Sequence, residues 1–325
     1  MTETADPLDV MILGRVCVDL YPSEINTPIE EVTSFTKSIG GSAANVAVAV
    51  SKHGHRVSLI TRTGNDPFGR YANRQIAEFG IDNTHVFPVD GINTVLTFCE
   101  IFPPDHFPSL IYRVPTAPDM MIRADELPME EIRDARIFWA TGTGLSAEPS
   151  RDAHLAAWRE RGRRNHTVLD LDYRAKFWSS AQAAHEAIEE ALSFVTVAVG
   201  NESECEIAVG ESDANRAADA LLERGVELAI VKRGEKGVLA KTREETVEIE
   251  PILVDVVNGL GAGDGFGGAL CHGLLEGWSL ESTLRFANMA GAIVVTRREC
   301  STAMPTTAEV DEWLAMRTHK SSVLP

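Results

Sequence analysis

The chain has few basic residues for its size, and this shortage excludes one large class of partners. It carries 30 lysines and arginines against 48 aspartates and glutamates, so its formal net charge is −18. Proteins that bind nucleic acids use basic side chains to neutralise phosphates. We therefore expect no nucleic-acid partner, and any anionic ligand must be bound by local arginines and lysines.

Cysteine is scarce, and the sequence contains no C-x-x-C pair. The scattered cysteines are Cys17, Cys99, Cys205, Cys271 and Cys300. An odd, scattered set is typical of reduced thiols and does not indicate a zinc site. The pattern predicts a cytoplasmic protein.

Long apolar runs and one common nucleotide motif are missing as well. No run is long enough to span a membrane, and the acidic residues 1–7 lack the apolar core of a signal peptide. The pattern G-x-x-x-x-G-K-[ST] is absent, which disfavours a P-loop NTPase. The remaining composition, 44% hydrophobic and 24% charged over 325 residues, is that of a globular protein with a large core.

Strand-like and helix-like segments alternate through most of the chain. Short apolar runs at 9–14, 57–61 and 167–171 are typical of buried strands, and segments such as 43–53 and 152–164 have helical patterns. This alternation predicts an α/β fold with a doubly wound, mostly parallel sheet and helices on both faces.

A second, smaller sheet is expected outside this alternation. Residues 20–38 lack helical periodicity, and two β-like runs at 93–102 and 109–114 flank a Pro-Pro-Asp turn. We predict that they form a lid that excludes water from a site when it closes. The predicted core comprises 8–18, 40–92 and 118–316, and the predicted lid comprises 19–39 and 93–117.

A glycine-rich stretch at residues 258–269 continues into the helix-like run at 266–276. Its backbone N–H groups suit an anion, because the first amides of a helix lack internal partners and the helix dipole adds partial positive charge. Asp264 would then be a base beside bound phosphate. An aspartate that only caps the helix fits this stretch equally well.

Further polar residues follow predicted strands or open predicted helices. Asp19 follows the first strand, where open α/β sheets bind ligands. Residues 40–45, Gly-Gly-Ser-Ala-Ala-Asn, form either a ligand-binding helix start or an ordinary turn. Arg174 fits a carboxylate or phosphate, or an ion pair with Asp170 or Asp172.

Two later motifs and one misleading pattern complete the set. Asn201 and Glu204 fit a helix cap, and residues 232–237, Lys-Arg-Gly-Glu-Lys-Gly, suit a hairpin or a nucleotide-lining loop. A G-x-G-x-x-G match starts at Gly263, but it lies late in the chain and contains Asp264. We therefore treat it as a coincidence.

The order of these motifs resembles the ribokinase-type family of sugar kinases, also called the phosphofructokinase-B family. Any one motif is weak, whereas the ordered set is specific and covers about residues 8–312. The resemblance implies an ATP-dependent phosphotransferase that acts on a small-molecule sugar, with no membrane partner. It also implies a homodimer formed through the lid sheets.

The resemblance assigns a role to each candidate residue. Asp264 would deprotonate the primary hydroxyl of the sugar, and Gly261, Ala262 and Gly263 would form the anion hole. The expected substrate-binding residues are Asp19, Gly41, Asn45, Arg113 and Arg174, the arginines for a substrate carboxylate. The expected ATP-binding residues are Asn201, Glu204, Lys232, Gly234, Gly237 and Asn288. Glu204 would organise Mg²⁺ through water.

Asn258 departs from the family pattern, which has aspartate there as a ligand for a monovalent cation. Asparagine keeps an oxygen ligand and loses the charge, and Asp255 nearby is the candidate that compensates. K⁺ activation therefore stays open.

Four segments narrow the expected substrate: 15–20, 141–146, 171–174 and 300–305. They are most similar to family members that phosphorylate 5-dehydro-2-deoxygluconate in inositol breakdown. Arg113 and residues 172–174 also resemble 2-keto-3-deoxygluconate kinases, so that acid and a neutral sugar such as fructose or ribose are alternatives. A non-catalytic sugar or nucleotide sensor and a dinucleotide oxidoreductase are the alternatives from other classes.

Overall fold

A computed structural model describes residues 8–321, and the side chains of 8–317. The signal-peptide prediction concerns residues 1–7, which lie outside this range. The described chain contains, in order, β1 (Val10–Leu13), β2 (Cys17–Pro22), β3 (Phe35–Gly40), α1 (Ser42–Lys52), β4 (Val57–Gly64), α2 (Pro67–Glu78), β5 (Val86–Val89), β6 (Leu96–Cys99), β7 (Ser109–Tyr112), α3 (Met129–Asp134), β8 (Ile137–Thr141), α4 (Ser150–Arg161), β9 (Thr167–Asp170), α5 (Ala181–Leu192), β10 (Val197–Asn201), α6 (Glu202–Val209), α7 (Ala214–Glu223), β11 (Leu228–Lys232), β12 (Val238–Lys241), β13 (Thr246–Ile249), α8 (Ala262–Leu275), α9 (Leu280–Val295) and α10 (Thr307–Ser321).

The main sheet has nine strands in the order β13-β12-β11-β10-β9-β8-β1-β4-β5. From β11 to β5 all neighbours pair in parallel, and the two antiparallel pairings are β11 with β12 and β12 with β13. The chain order switches on either side of β1, which lies between β8 and β4. Ligands of such sheets bind beyond the carboxyl ends of the strands at this switch point. The predicted doubly wound, mostly parallel sheet is confirmed.

Helices cover both faces of this sheet, which is why β1 is apolar at every position. Val10 and Ile12 belong to a core that includes residues of α1, α2, α8 and α9. Met11 and Leu13 belong to a second core that includes residues of α4, α5 and α7. Successive residues of a strand point to opposite faces, so one short run supplies both cores.

The second sheet has four strands in the order β3-β2-β6-β7, and the predicted small sheet is therefore present. Asp19 lies inside β2 and pairs with Ser38 of β3 and Thr97 of β6. The expectation that Asp19 follows a strand end is thus wrong, because the chain enters the second sheet three residues after Gly14. Cys17 and Gly40, assigned to the core from the sequence, also pair in this sheet. The division into core and lid domains stays a prediction.

All five cysteines are buried and unpaired. Burial raises the pKa of each thiol. Three of them, Cys17, Cys99 and Cys300, lie close to Asp19 and Tyr21. Among the helices in the described part of the chain, none is both long and apolar enough to cross a membrane.

Candidate active site

The amino-terminal ends of α1 and α8 meet at Asp264. The hydroxyl of Ser42 donates to Oδ1 of Asp264 at 2.8 Å, and Nδ2 of Asn45 donates to Oδ2 at 2.8 Å. The residue that caps α8 is Gly261, which adopts a left-handed φ of 83°. Asp264 lies inside the helix and bonds to α1, so helix capping does not explain this carboxylate.

The surroundings of Asp264 tune its basicity. Burial is the largest effect and raises its pKa to about 6, and the charge of Asp172 acts in the same direction. The hydrogen bonds from Asn45 and Ser42, together with the charge of Lys232, lower it. A carboxylate with this pKa is mostly ionised at neutral pH and is close to the value that suits a general base.

Ser42 links Asp264 to a second buried carboxyl group. Its hydroxyl oxygen lies 3.2 Å from Oδ2 of Asp170. A hydroxyl has one hydrogen, so Ser42 donates to one of the two carboxyl groups at a time, and Asp264 is the nearer. Burial raises the pKa of Asp170, and the charges of Asp172, Glu204 and Asp264 raise it further against the opposing charge of Lys232.

Asp264 opens onto a cavity of about 580 Å³. Of the residues singled out in the sequence, the cavity is lined by Arg174, Asn201, Glu204, Lys232, Gly234, Gly237, Gly261, Ala262, Gly263, Asp264 and Asn288. The first amides of α8 lie here, and a Cβ on Gly263 would be 3.1 Å from Nζ of Lys232. Unpaired amides beside an ammonium group suit a phosphate. The cavity does not include Asp19, Gly41, Asn45, Arg113, Asp255 or Asn258 in its lining.

Two motifs on the wall of this cavity have both a structural role and a position in the site. Asn201 Oδ1 accepts from the amide of Glu204 at 2.9 Å, and the carboxylate of Glu204 accepts from the amide of Asn201 at 2.8 Å. The capping prediction is therefore confirmed. Residues 232–237 connect the antiparallel strands β11 and β12, as a hairpin requires. A Cβ on Gly237 would lie 1.9 Å from the carbonyl oxygen of Ile249, so only glycine fits there.

Asn288 lies at the edge of the same cavity. Its Nδ2 donates to the carbonyl oxygen of Glu250 at 2.9 Å. This bond holds the amide group of Asn288 at the cavity lining.

Asp19 is held in a small buried network of the second sheet. The thiol of Cys17 donates to Oδ1 at 3.2 Å and the hydroxyl of Tyr21 donates to Oδ2 at 3.0 Å. Burial raises the pKa of Asp19. A Cβ on Gly40 would lie 2.0 Å from Oδ2 of Asp19, whereas Gly41 has a φ of 94° and backs onto the carbonyl oxygen of Arg15. Gly40 therefore contacts Asp19, and the predicted role of Gly41 in binding the sugar stays a prediction.

The two predicted arginines have different partners. Arg113 directly follows β7, and its guanidinium lies 3.9 Å from the ring centroid of Phe177 and 3.8 Å from Oδ2 of Asp119. Nη1 of Arg113 is buried without a hydrogen-bond partner among the described residues. Nη2 of Arg174 lies 3.1 Å from Oδ1 of Asp172, so the ion-pair alternative is present at that residue.

Sequence reasoning missed Arg15 as a site residue. This buried arginine lies 5.2 Å from the ring centroid of Phe177, on which Arg113 also stacks. Its Nη1 lies 3.5 Å from the hydroxyl of Thr143, which in turn donates to Asp172 at 3.1 Å. The available signal was its position two residues after β1, beyond the carboxyl end of the central strand.

A model of the pfkB family of carbohydrate kinases matches residues 8–307 of the chain. The chain belongs to this family. The kinase is 34% identical to the 5-dehydro-2-deoxygluconokinase of Shouchella clausii (strain KSM-K16), over 93% of this chain and 94% of that relative.

Solved structures show the same fold as this kinase. An E. coli protein assigned as ribokinase II, in complex with ATP and Mg²⁺, matches with a TM-score of 0.86 and 23% identity, over 96% of this chain and 100% of the other. A fructokinase variant from Vibrio cholerae O395, with fructose, ADP and potassium bound, matches with a TM-score of 0.82 and 23% identity, over 95% and 99%. At these identities the likeness shows the fold alone, and it confirms the ribokinase-like architecture.

The G-x-G-x-x-G match has a packing role in this kinase. All three of its glycines lie inside α8. A Cβ on Gly265 would be 2.7 Å from Val294, and a Cβ on Gly268 would be 2.2 Å from Cβ of Ala49. These glycines let α1 and α9 approach α8. The pattern is not a strand-to-helix turn, so the dinucleotide oxidoreductase alternative is wrong.

Asn258 is held in its loop by two hydrogen bonds. Its fully buried amide group donates through Nδ2 to the carbonyl oxygen of Arg298 at 2.7 Å and accepts through Oδ1 from the amide of Leu260 at 3.0 Å. Both polar atoms of the Asn258 amide group are thus engaged within this loop. Asp255 is exposed, and a role of either residue in binding a monovalent cation stays a prediction.

Proposed function

We propose that this kinase transfers the γ-phosphoryl group of ATP to the primary hydroxyl of a deoxy-keto-hexonic acid, 5-dehydro-2-deoxygluconate in the first instance. The observation that carries the proposal is a pair of arginines, Arg15 and Arg113, whose guanidinium groups both lie over the ring of Phe177. The protein is strongly acidic, yet it has two guanidinium groups near the proposed binding site of the sugar. This arrangement is suited to an anionic sugar. The name of the Shouchella clausii relative supports the same substrate.

Asp264 accepts the proton of the primary hydroxyl as that oxygen attacks the γ-phosphorus of ATP. The new O–P bond forms, the bond from phosphorus to the bridging oxygen breaks, and ADP leaves with that oxygen. A positioned base contributes about 10²–10⁴-fold to such a rate. Ser42 and Asn45 hold both carboxylate oxygens of Asp264 in place, and the first amides of α8, at Gly261, Ala262 and Gly263, stabilise the charge on the transferring group.

The nucleotide is expected on the side of the cavity formed by the hairpin at 232–237 and by Asn288. Lys232 offers a positive charge to the phosphates. Glu204, together with Asn201, would hold Mg²⁺ through water, and the carboxylates at 170, 172 and 204 make this a suitable set of oxygen donors. When bound, Mg²⁺ neutralises phosphate charge.

Asp19 and Asn45 are the proposed ligands of the sugar hydroxyls, and Arg174 is a proposed third cation for the substrate carboxylate. Asp172 connects the two halves of the site, because its charge acts on Asp264 and on Arg15. A 2-keto-3-deoxygluconate kinase is the second candidate, since the same arginines suit that acid. A role in inositol catabolism and a cytoplasmic location stay predictions.

A homodimer through the second sheets is a further part of the proposal. Edge strand β7 exposes Leu110 and Tyr112, and Val114 follows it at 91% exposure. Apolar side chains on an unpaired edge favour pairing with another chain. Light scattering on the unaltered protein and on Tyr112→Lys tests this proposal. If the unaltered protein already has the molar mass of one chain, as the variant does, the proposed dimer is contradicted.

The substrate is tested by steady-state kinetics with Mg-ATP and four acceptors: 5-dehydro-2-deoxygluconate, 2-keto-3-deoxygluconate, fructose and ribose. We expect the highest kcat/KM with the first acid. The double variant Arg15→Met, Arg113→Met should lose the preference for acids over fructose, because it removes both charges and keeps side chains of similar length. Turnover with neutral sugars and none with either acid would refute the proposed substrate, and no turnover with any acceptor would favour the sensor alternative.

A further inference from the structure

A second group of polar side chains lies at the opposite ends of the two helices that meet at Asp264. Helix α1 ends at Lys52 and α8 ends at Leu275. Just at these ends lie His55, His272 and Glu276, whose ligand atoms are all within 4.8 Å of one another. With a rise of about 1.5 Å per residue, His272 is about 12 Å along α8 from Asp264. The three residues line no part of the kinase cavity.

We propose that His55, His272 and Glu276 bind a transition-metal cation, Zn²⁺ in the first instance, that ties the end of α1 to the end of α8. Two imidazoles and one carboxylate are a common protein donor set for zinc, with water in the fourth position. Imidazole donors favour Zn²⁺ and its neighbours over Mg²⁺. The site is therefore distinct in chemistry from the oxygen-donor set of the kinase cavity.

The geometry needs only a small adjustment to accept the ion. Nε2 of His55 lies 2.7 Å from Nδ1 of His272, a distance at which the two rings share one proton. A tetrahedral zinc with bonds of about 2.0–2.1 Å separates two nitrogens by about 3.4 Å. The rings must move apart by about 0.7 Å, and the ion then takes the place of the shared proton.

Glu276 is well placed to complete the set. It comes four residues after His272 and continues the helical backbone with φ −77° and ψ −6°, so both side chains lie on one face of the helix end. Its side chain is exposed and free of a packed environment. A carboxylate in this position adjusts to the ion, whereas the two imidazoles define where the ion lies.

The local charge favours a cation. Glu276 and Asp9 act on His55, and Glu276 and Asp311 act on His272. Two helix carboxyl-terminal ends, each with partial negative charge, point to the same place. Arg136 is the opposing charge, and it is engaged by Asp9 at 3.2 Å and by the carbonyl oxygen of Leu275 at 2.8 Å.

Neighbouring aromatic rings hold His272 in a fixed orientation. His53 stacks on His272 with ring centroids 5.1 Å apart, and Trp278 lies edge-on to His272 at 5.0 Å. His53 is 6% exposed and donates or accepts through Nδ1 at Thr307, but its Nε2 has no hydrogen-bond partner among the described residues. His53 is therefore a packing neighbour of His272 and is not one of the three proposed ligands.

The experiment uses the full-length kinase, freed of metals by a chelator and then titrated with Zn²⁺ in excess Mg²⁺. We expect one zinc per chain by calorimetry, and with Co²⁺ the visible absorption of a four-coordinate site. Co²⁺ should also quench the fluorescence of Trp278, and this quenching should disappear in Trp278→Phe. These readouts report metal at His272 independently of kinase turnover.

Variants separate the proposed site from adventitious binding. His55→Asn and His272→Asn should each weaken zinc binding by more than about tenfold, which is the smallest loss expected even for an outer partner of a metal ligand. The matched control is His185→Asn, because His185 and Glu189 on α5 have the same spacing without a second imidazole. Full zinc binding is expected in this control.

Because His272→Asn can disturb packing, the deciding variant is His55→Asn, at a half-buried position. Circular dichroism checks that this variant is folded. Undiminished binding in folded His55→Asn, or no binding by the unaltered kinase, would overturn the proposal.

Discussion

Removing the hydroxyl of Ser42 should shift the pH profile of the kinase while leaving its base in place. The hydroxyl donates to Asp264 at 2.8 Å and lowers the pKa of that carboxyl group, because the bond favours the ionised form. Ser42→Ala therefore raises the pKa of Asp264 from its value of about 6. Asp264 acts as a base only when ionised, so turnover is lost as the pH falls through this pKa, and the loss begins at higher pH in the variant.

The size of the shift follows from the strength of one hydrogen bond to a charged group. Such a bond contributes about 1.5–3 kcal/mol, and about 1.4 kcal/mol corresponds to one pKa unit. We therefore expect the pKa of Asp264 to rise by about one to two units in Ser42→Ala. At pH 7 the ionised fraction would fall from about nine tenths to between about a half and a tenth, and turnover with it. Near pH 9 turnover should recover.

The assay is kcat at saturating ATP and acceptor between pH 5 and 9, with ADP measured by chromatography so that no coupling enzyme limits the range. Asp264→Asn should be slower by about 10²–10⁴-fold at neutral and alkaline pH, where Asp264 of the unaltered kinase is ionised. The matched control is Ser58→Ala, since this buried serine bonds to a backbone carbonyl of residue 82 and touches no site carboxylate. An acid limb of Ser42→Ala that coincides with that of the unaltered kinase would refute the reasoning, as would near-normal turnover of Asp264→Asn.

Three further predictions concern charge recognition, the cation loop and the core. Arg113→Gln should lower kcat/KM for the keto-deoxy acid by about tenfold or more and leave KM for ATP unchanged, because a charged hydrogen bond contributes about 1.5–3 kcal/mol; steady-state kinetics in both substrates measure this. Replacing Na⁺ by K⁺ should not change turnover, whereas Asn258→Asp, which loses the donor to the carbonyl of Arg298, should become slower and respond to K⁺ in the same assay. Arg161→Leu leaves several buried carbonyl groups unpaired, so it should lower the free energy of unfolding by about 3 kcal/mol or more in urea titrations. The control is Arg159→Leu at an exposed position, which should change the free energy of unfolding by less than about 0.5 kcal/mol.

Local patterns were enough to predict the two sheets and the glycine-rich start of α8. Buried parallel strands are short apolar runs, and a glycine-rich turn before a helix is a local feature, so both can be recognised without the fold. Helices α5 and α7 were not predicted, although Ser180 and Asp213 accept from the third amides of these helices and provide cap signals. Each helix also has a regularly spaced buried stripe, such as Ala217 and Leu221 in α7, so the local signals were present and were not used.

Contacts between distant parts of the chain could not be predicted in this way. The sequence around Asp19 does not specify which sheet it joins, because that depends on pairing with Ser38 and Thr97. The shared ring of Phe177 under Arg15 and Arg113 brings together three separate segments. Such long-range contacts depend on how the helices and sheets pack against one another. No single stretch of the sequence specifies which distant residues it will contact.

The burial of every cysteine makes the native surface unreactive towards thiol reagents. A thiol that is out of contact with solvent, and whose pKa is raised by burial, reacts slowly with maleimides. A single cysteine introduced by Val114→Cys, at a position that is 91% exposed beside the second sheet, would then be the one rapidly labelled site. A fluorophore attached there would report whether the second sheet moves in solution as ATP and acceptor are added, without first removing any native cysteine.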